Sequence, residues 1–367
     1  MNTKTILLTG ARAPVTLDLA RSFYRWGCRV ICVDSLPKTI CTYSKCVDRY
    51  VHVRPPATDL KGFSEDLNQI ISEEGVDLLI PNCEEALYIA KIKESLFCEV
   101  FSSSFELVES LHNKWTFYQM TKEISPETEF LKDKTLLPPY IVKPVYSRFA
   151  AFVEVIRSEK EIKDDKRNPK IVQRFIEGES YCSYAVVKNG SIRAYSIYKV
   201  LHSIGIGASM SSLSVEDSEI VDFMKNFLKK IDYSGQISFD FIRSKKKLYV
   251  IECNPRATSG VHLFDCNPNL AKAFFEEIFL KGSVGKIYHE PITMILYGIK
   301  QREILRKNFL KDFVKGKNVL FRWDDVRPLL SLPVILFGIF KMAFKQRKKL
   351  YQLLTEDVEY NGERVGK

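Results

Sequence analysis

Asp240, Glu252 and Asn254, three oxygen-bearing side chains near one another in the chain, are the residues whose types and spacing first suggest chemistry. Glu252 and Asn254 lie in LYVIECNPRATSG, residues 248–260, which begins like a buried strand and then carries a carboxylate and an amide where apolar side chains belong. Strand alternation puts Leu248, Val250, Glu252 and Asn254 on one face and Tyr249, Ile251 and Cys253 on the other. Just upstream, Ile237, Phe239 and Phe241 fill one face of a second strand and leave Asp240 on the opposite face. A turn through Lys245, Lys246 and Lys247 pairs Ser244 with Leu248, and the same register sets Asp240 across from Glu252. Facing carboxylates repel unless a cation lies between them. All three donors are hard oxygens, so the set suits Mg²⁺, with Mn²⁺ as the alternative, its coordination completed by water and phosphate oxygens. Solvated acids on an exposed sheet face would give the same pattern without a metal.

The elements that must position these groups fall into three regimes over 367 residues, 46% of them hydrophobic, a length that suits two to three domains. Between Lys4 and Ser103, apolar runs at 6–9, 30–33, 47–53, 78–81 and 99–102 alternate with helical periodicity at 16–26 and 60–74. That is the pattern of a parallel sheet with covering helices, and it predicts a Rossmann-like N-terminal domain over 1–110. A helical bridge over 105–121 leads into an α+β region over 111–282. Its strands are predicted at 140–143, 152–157, 170–176, 180–187, 192–201, 236–243 and 247–254, with an Asn189-Gly190 hairpin turn. One helix is predicted over 215–231, its apolar face built from Ile220, Val221, Phe223, Met224, Phe227, Leu228 and Ile231. Residues 283–367 form a partly helical C-terminal extension.

With Asp240 and Glu-x-Asn in place, residues 113–256 resemble the ATP-grasp superfamily, which implies a fold of two α+β subdomains, about 125–176 and 177–282. NKWTFYQM resembles the helix start whose lysine contacts phosphate, here Lys114, and YIVKP the strand with the second phosphate-binding lysine, Lys143. IVQRFIEGES is similar to the hinge between the subdomains. By that resemblance Gln173 accepts a bond from an adenine amino group, the backbone of Arg174, Phe175 and Ile176 binds adenine, and Glu179 takes the ribose hydroxyls. Asp240, Glu252 and Asn254 match the magnesium ligands. The lid departs from the family pattern: VYSRFAAF offers Ser147 and Arg148 but Ala150 and Ala151 in place of glycines. The implied cofactors are ATP and Mg²⁺, and the implied reaction activates a carboxylate as an acyl phosphate that an amine displaces. Arg256 and Lys143 are the expected catalytic residues, Arg256 because a guanidinium fork fits a carboxylate or acyl phosphate. Arg193 and His202 are weaker candidates.

Two other classes share features with the chain: a nucleotide sensor or scaffold without turnover, and an NAD(P)-dependent oxidoreductase. TGARAP, Asp34 and the Tyr195–Lys199 spacing resemble features of the second, but Gly10 is followed by Ala11-Arg12-Ala13 rather than a glycine fingerprint, and Tyr195 and Lys199 fall in a predicted strand. The net charge of +10 is compatible with anionic partners, and small-molecule carboxylate and amine substrates rather than nucleic acid are expected; homo-oligomerisation stays open. Nine cysteines without a CxxC pair, and no long apolar leader, predict a cytoplasmic protein with reduced thiols; a zinc site from Cys28, Cys32, Cys41 and Cys46 is disfavoured because Cys28 flanks and Cys32 occupies a predicted strand. In the C-terminal extension the apolar run 329–340 is followed by five cations within 341–349. It is too short to span a bilayer, and a buried C-terminal helix is favoured over an interfacial helix in peripheral contact with a membrane.

Overall fold

The computed structural model describes residues 3–147, 153–165, 168–204, 208–245, 247–291, 294–295 and 307–362. The N-terminal strands β1 (Thr5–Leu8), β2 (Arg29–Asp34), β3 (Arg49–His52), β4 (Leu78–Ile80) and β5 (Glu99–Val100) form a parallel sheet in the order β3-β2-β1-β4-β5. Helices α1 (Pro14–Arg25), α2 (Leu60–Glu74) and α3 (Ala86–Ile92) connect them. Both faces of the central strands are covered, which is why Ile6, Leu7 and Leu8 are all apolar and buried. Helix α2 starts at Asp59, which accepts the Gly62 N–H, and stops at Gly75 in the left-handed region.

The predicted helical bridge is two helices, α4 (Phe105–His112) and α5 (Lys114–Met120). Asn113 breaks it, because its side-chain oxygen accepts the N–H groups of Trp115 and Thr116 and so caps a new helix whose first residue is Lys114. A four-stranded antiparallel sheet follows, β6 (Thr128–Phe130), β7 (Tyr140–Pro144), β8 (Glu154–Ile156) and β9 (Lys170–Arg174), in the order β6-β9-β7-β8. The larger sheet contains β10 (Glu179–Lys188), β11 (Ser191–Ile204), β12 (Ala208–Val215), β13 (Gly235–Ser244) and β14 (Lys247–Asn254), extended by short strands β15 (Leu280–Lys281), β16 (Ile287–His289) and β17 (Lys317–Asn318). Helix α6 (Ser218–Lys230) packs Ile220, Met224, Phe227 and Leu228 against Ile237, Phe239 and Phe241 of β13. Asn189 and Gly190, at φ +51° and +69°, make the β10–β11 turn. Strand β12 is unpredicted because its sequence, ASMSSLSV, has no apolar alternation, and its buried Ser211, Ser212 and Ser214 hide the signal.

The β13–β14 hairpin departs from the expected register and then returns to it. The turn is one residue tighter than expected, pairing Ser244 with Lys247 and Arg243 with Leu248. A β-bulge at Ile251 restores the register, so that Asp240 lies opposite Glu252. The same bulge reverses the faces: Leu248 and Val250 share the core side with Cys253, not with Glu252 and Asn254 as simple alternation implied.

After α7 (Pro268–Lys272) and α8 (Lys307–Lys315), the chain ends in α9 (Arg327–Leu330), α10 (Leu332–Gln346) and α11 (Leu350–Thr355). Helix α10 is only half buried: Ile335, Ile339 and Ala343 join the core, whereas Phe337, Phe340 and Phe344 are exposed. The favoured buried helix therefore holds for one face alone. No helix among the described residues is long and apolar enough to cross a membrane. Cys28, Cys32, Cys41 and Cys46 are free thiols in the interior.

A buried ionic network ties the three regimes together. Arg21 of α1 reaches Asp18 at 3.1 Å and Asp325 at 2.9 Å, Asp18 meets His262 Nδ1 at 2.7 Å, and Asp325 accepts from Ser44. Arg21→Ala would leave two buried carboxylates short of their counter-charge. It is expected to cost about 3–5 kcal/mol of stability, read as a lower midpoint in chemical denaturation.

Candidate active site

Asp240, Glu252 and Asn254 line the half-buried face of the β13–β14 hairpin, Asn254 Nδ2 lying 3.4 Å from Asp240 Oδ2. Two lysines approach from other elements. Lys114, first residue of α5, lies 3.5 Å from Glu252 Oε2 and donates to the Ser147 carbonyl at 2.8 Å. Lys143, in β7, is buried and donates to Gln173 Oε1 at 3.0 Å, while Gln173 Nε2 donates to Thr128 Oγ1 at 3.0 Å. The packing reason is that β7 and β9 pair Ile141 with Gln173, so the two polar side chains emerge side by side.

Burial and the neighbouring Glu252 raise the Asp240 carboxyl well above the usual carboxylate range. Burial alone would raise Glu252 as well, but Lys114 and Lys143 outweigh it and hold Glu252 low. Burial pushes the Lys143 ammonium down to about 8, Glu252 and Asp240 opposing the drop and Lys114 adding to it. The cluster is thus two cations facing a carboxylate pair that cannot comfortably carry both its charges. Among the described residues no three His, Cys, Asp or Glu side chains come together as a self-sufficient metal site. Two carboxylates and an amide do fit a hard divalent ion that takes its remaining ligands from phosphate and water.

The hinge residues make contacts among themselves and with neighbouring elements. Gln173 accepts a hydrogen bond from Lys143 through its side-chain oxygen. The Arg174 N–H donates to the Glu127 carbonyl and the Phe175 N–H to the Pro139 carbonyl, so these two donors are already engaged. Arg174 pairs through its side chain with Glu127, and Glu179 with Lys199 and Tyr181. Gly178 is required where it stands, since a Cβ there would lie 2.4 Å from the Arg243 carbonyl oxygen. Ser147 is described, whereas Arg148, Ala150 and Ala151 of the lid lie outside the described residues. His202 is held by Asp312 at 2.9 Å, far along β11 from the hairpin, and Arg193 joins none of these groups.

Arg256 follows a tight turn, its N–H bonded to the Asn254 carbonyl at 2.8 Å. Its guanidinium meets Glu84 Oε1 at 3.0 Å and Asn254 Oδ1 at 3.3 Å, and His112 Nε2 lies 3.8 Å from Glu84 Oε2. Sequence reasoning missed Glu84 and His112. The available signal was the acidic pair Glu84-Glu85 just beyond β4, at the carboxyl end of a parallel strand where such sheets open a crevice. Gln236, four residues before Asp240, fastens the two regions by donating to the Pro81 carbonyl and Asn82 Oδ1, both at 2.9 Å. Beside Gly10 and Asp34, Arg12 binds Asp34 and, from the C-terminal segment, Asp357 and the Leu354 carbonyl.

A strand-borne carboxylate pair faces two lysines from separate elements, one of them from the smaller sheet. Residues 111–260 match the family model of the ATP-grasp domain. The chain is similar to the carbamoyl phosphate synthase large chain of Clostridium botulinum, at 22% identity over 275 residues, 67% of this chain and 25% of that one. The chain thus spans about a quarter of the length of the curated relatives it matches. The fold is shared with the L-amino acid ligase of Bacillus licheniformis, with TM-score 0.57, 16% identity and 75% of each chain covered. It is also shared with the biotin carboxylase domain of Hydrogenobacter thermophilus 2-oxoglutarate carboxylase, with TM-score 0.59, 15% identity, 76% of this chain and 71% of that one; that domain was solved with MgADP, ADP and bicarbonate.

The Lys143 shift fixes a pH dependence. Were a nucleotide phosphate to sit beside Lys143, as the resemblance implies, it would favour the protonated form, and above pH 8 binding would take up a proton. Affinity for ADP in metal-free buffer is expected to fall as pH rises past 8, by up to about tenfold per unit. Lys143→Arg should flatten that fall in a calorimetric titration, because a guanidinium stays charged.

Proposed function

We propose that the chain is an ATP-dependent ligase that activates a substrate carboxylate as an acyl phosphate and joins it to an amine or similar nucleophile, releasing ADP and phosphate. The observation that carries this reading is the Asp240–Glu252 pair, set opposite Lys114 and Lys143 within the ATP-grasp match. The ligase and carboxylase neighbours support the reaction type, and the MgADP in one of them supports the cofactors ATP and Mg²⁺.

In this proposal Lys114 and Lys143 bind phosphate oxygens, each as a compact charge. Asp240, Glu252 and Asn254 would hold Mg²⁺, which would supply charge that offsets that of the phosphates. Arg256 presents its guanidinium to the substrate carboxylate, and Glu84 fixes that guanidinium's direction from the N-terminal side. Adenine binding falls to Ile176 and the hinge carbonyls, with Gln173 positioning Lys143. The parallel-sheet region, about 1–110, acts as a Rossmann-like domain that walls the substrate pocket, 111–282 as the catalytic domain and 283–367 as an extension. The proposed setting is cytoplasmic, with small-molecule substrates.

ADP release is the test. Release is expected to require a divalent ion and to rise with the right carboxylate and amine from a panel. Glu252→Gln should lower turnover about 10³-fold while the chain stays folded by circular dichroism. Wild-type turnover in that variant would remove the metal assignment. Glu84→Gln should raise the Michaelis constant for the carboxylate more than it lowers kcat, because Arg256 keeps its charge but loses its orientation.

A further inference from the structure

We propose that α10 lies flat on an anionic lipid surface and docks the enzyme there. The helix is apolar almost all round, yet only one side is covered: Ile335, Ile339 and Ala343 pack into the core. On the other side Val334 is 58% exposed, Phe337 71%, Phe340 55% and Phe344 90%, and Leu330 just before the helix is 71% exposed. At 100° per residue Leu336, Phe337, Phe340 and Phe344 fall on one continuous arc, and Lys341 and Lys345 border it on one side. A water-soluble helix places polar residues on that arc. Three exposed phenylalanines in a row call for a covering.

Charge selects the occupant. Residues 326–355 contain Arg327, Lys341, Lys345, Arg347, Lys348 and Lys349 and not one Asp or Glu. Of these six, only Lys348 has an acidic partner among the described residues, Glu356 at 2.7 Å. An apolar arc bordered by unopposed cations complements a bilayer interface of anionic headgroups over acyl chains. A second copy of this face would instead set the same cations against each other. With fifteen residues α10 is too short to span, so the geometry points to a helix lying in the plane of the interface.

Co-sedimentation with vesicles tests the proposal. The chain should pellet with vesicles of phosphatidylcholine and phosphatidylglycerol at low salt, stay in solution with phosphatidylcholine alone, and release at least about fivefold when salt is raised past physiological strength. Phe337→Ser with Phe344→Ser should abolish pelleting while the thermal midpoint and ADP release stay at wild-type levels, the two rings being largely in solvent. Lys341→Glu with Lys345→Glu keeps the apolar arc and should abolish the preference for anionic vesicles. A chain left in solution by both vesicle types, or equal pelleting with both, would overturn the proposal. So would light scattering that shows a vesicle-free dimer dissolved by the Phe337 and Phe344 changes.

Discussion

Two carboxylates held face to face across neighbouring strands are the constraint on which the rest of the site depends. Asp240 and Glu252 are opposed because a bulge at Ile251 restores their register, and the opposition is costly in a half-buried place unless positive charge is supplied. The chain supplies part of it through Lys114 and Lys143, delivered by a helix start and by a strand of the smaller sheet. The result is a balanced but strained set of charges. In the proposed function the carboxylates would hold a divalent ion and the lysines would bind phosphate oxygens, which would relieve that strain on both sides.

That balance also explains why the two sheets and the N-terminal region must meet at this spot. Lys143 is aimed by Gln173, which is itself held by Thr128 of the adjoining strand. Arg256 leaves the metal-side hairpin and is caught by Glu84, a residue from the parallel-sheet region. Gln236 fastens the strand of Asp240 to the loop that carries Glu84. Lys143 and Arg256 are therefore each oriented by a residue from another element, and a shift of the parallel-sheet region would turn Arg256 with it.

Much of this was legible in the sequence because it is carried by local pattern. The apolar runs of the parallel strands, the α2 boundaries and the Asn189-Gly190 turn are short-range signals, and the structure follows them. The Asp240–Glu252 opposition was legible too, though through an offsetting pair of departures: a tighter turn and a bulge. No period-2 rule announces a bulge, so the face carrying Leu248 and Val250 was misread. What stayed hidden depends on long-range partners. Glu84 and His112 acquire meaning only when β4 and α4 come beside Arg256. The engaged hinge donors of Arg174 and Phe175 depend on Glu127 and Pro139, more than thirty residues away in the chain. The exposed side of α10 could not be told from its buried side by hydropathy, since both are apolar.

The most direct measurement of the central claim is the electron paramagnetic resonance spectrum of Mn²⁺ added with ADP whose β-phosphate carries oxygen-17. The account predicts a protein-bound Mn²⁺ signal broadened by the labelled phosphate, and lost when Asp240 and Glu252 are both changed to their amides. A spectrum of free Mn²⁺ with the wild-type chain and ADP, or a bound signal indifferent to those two carboxylates, would contradict it.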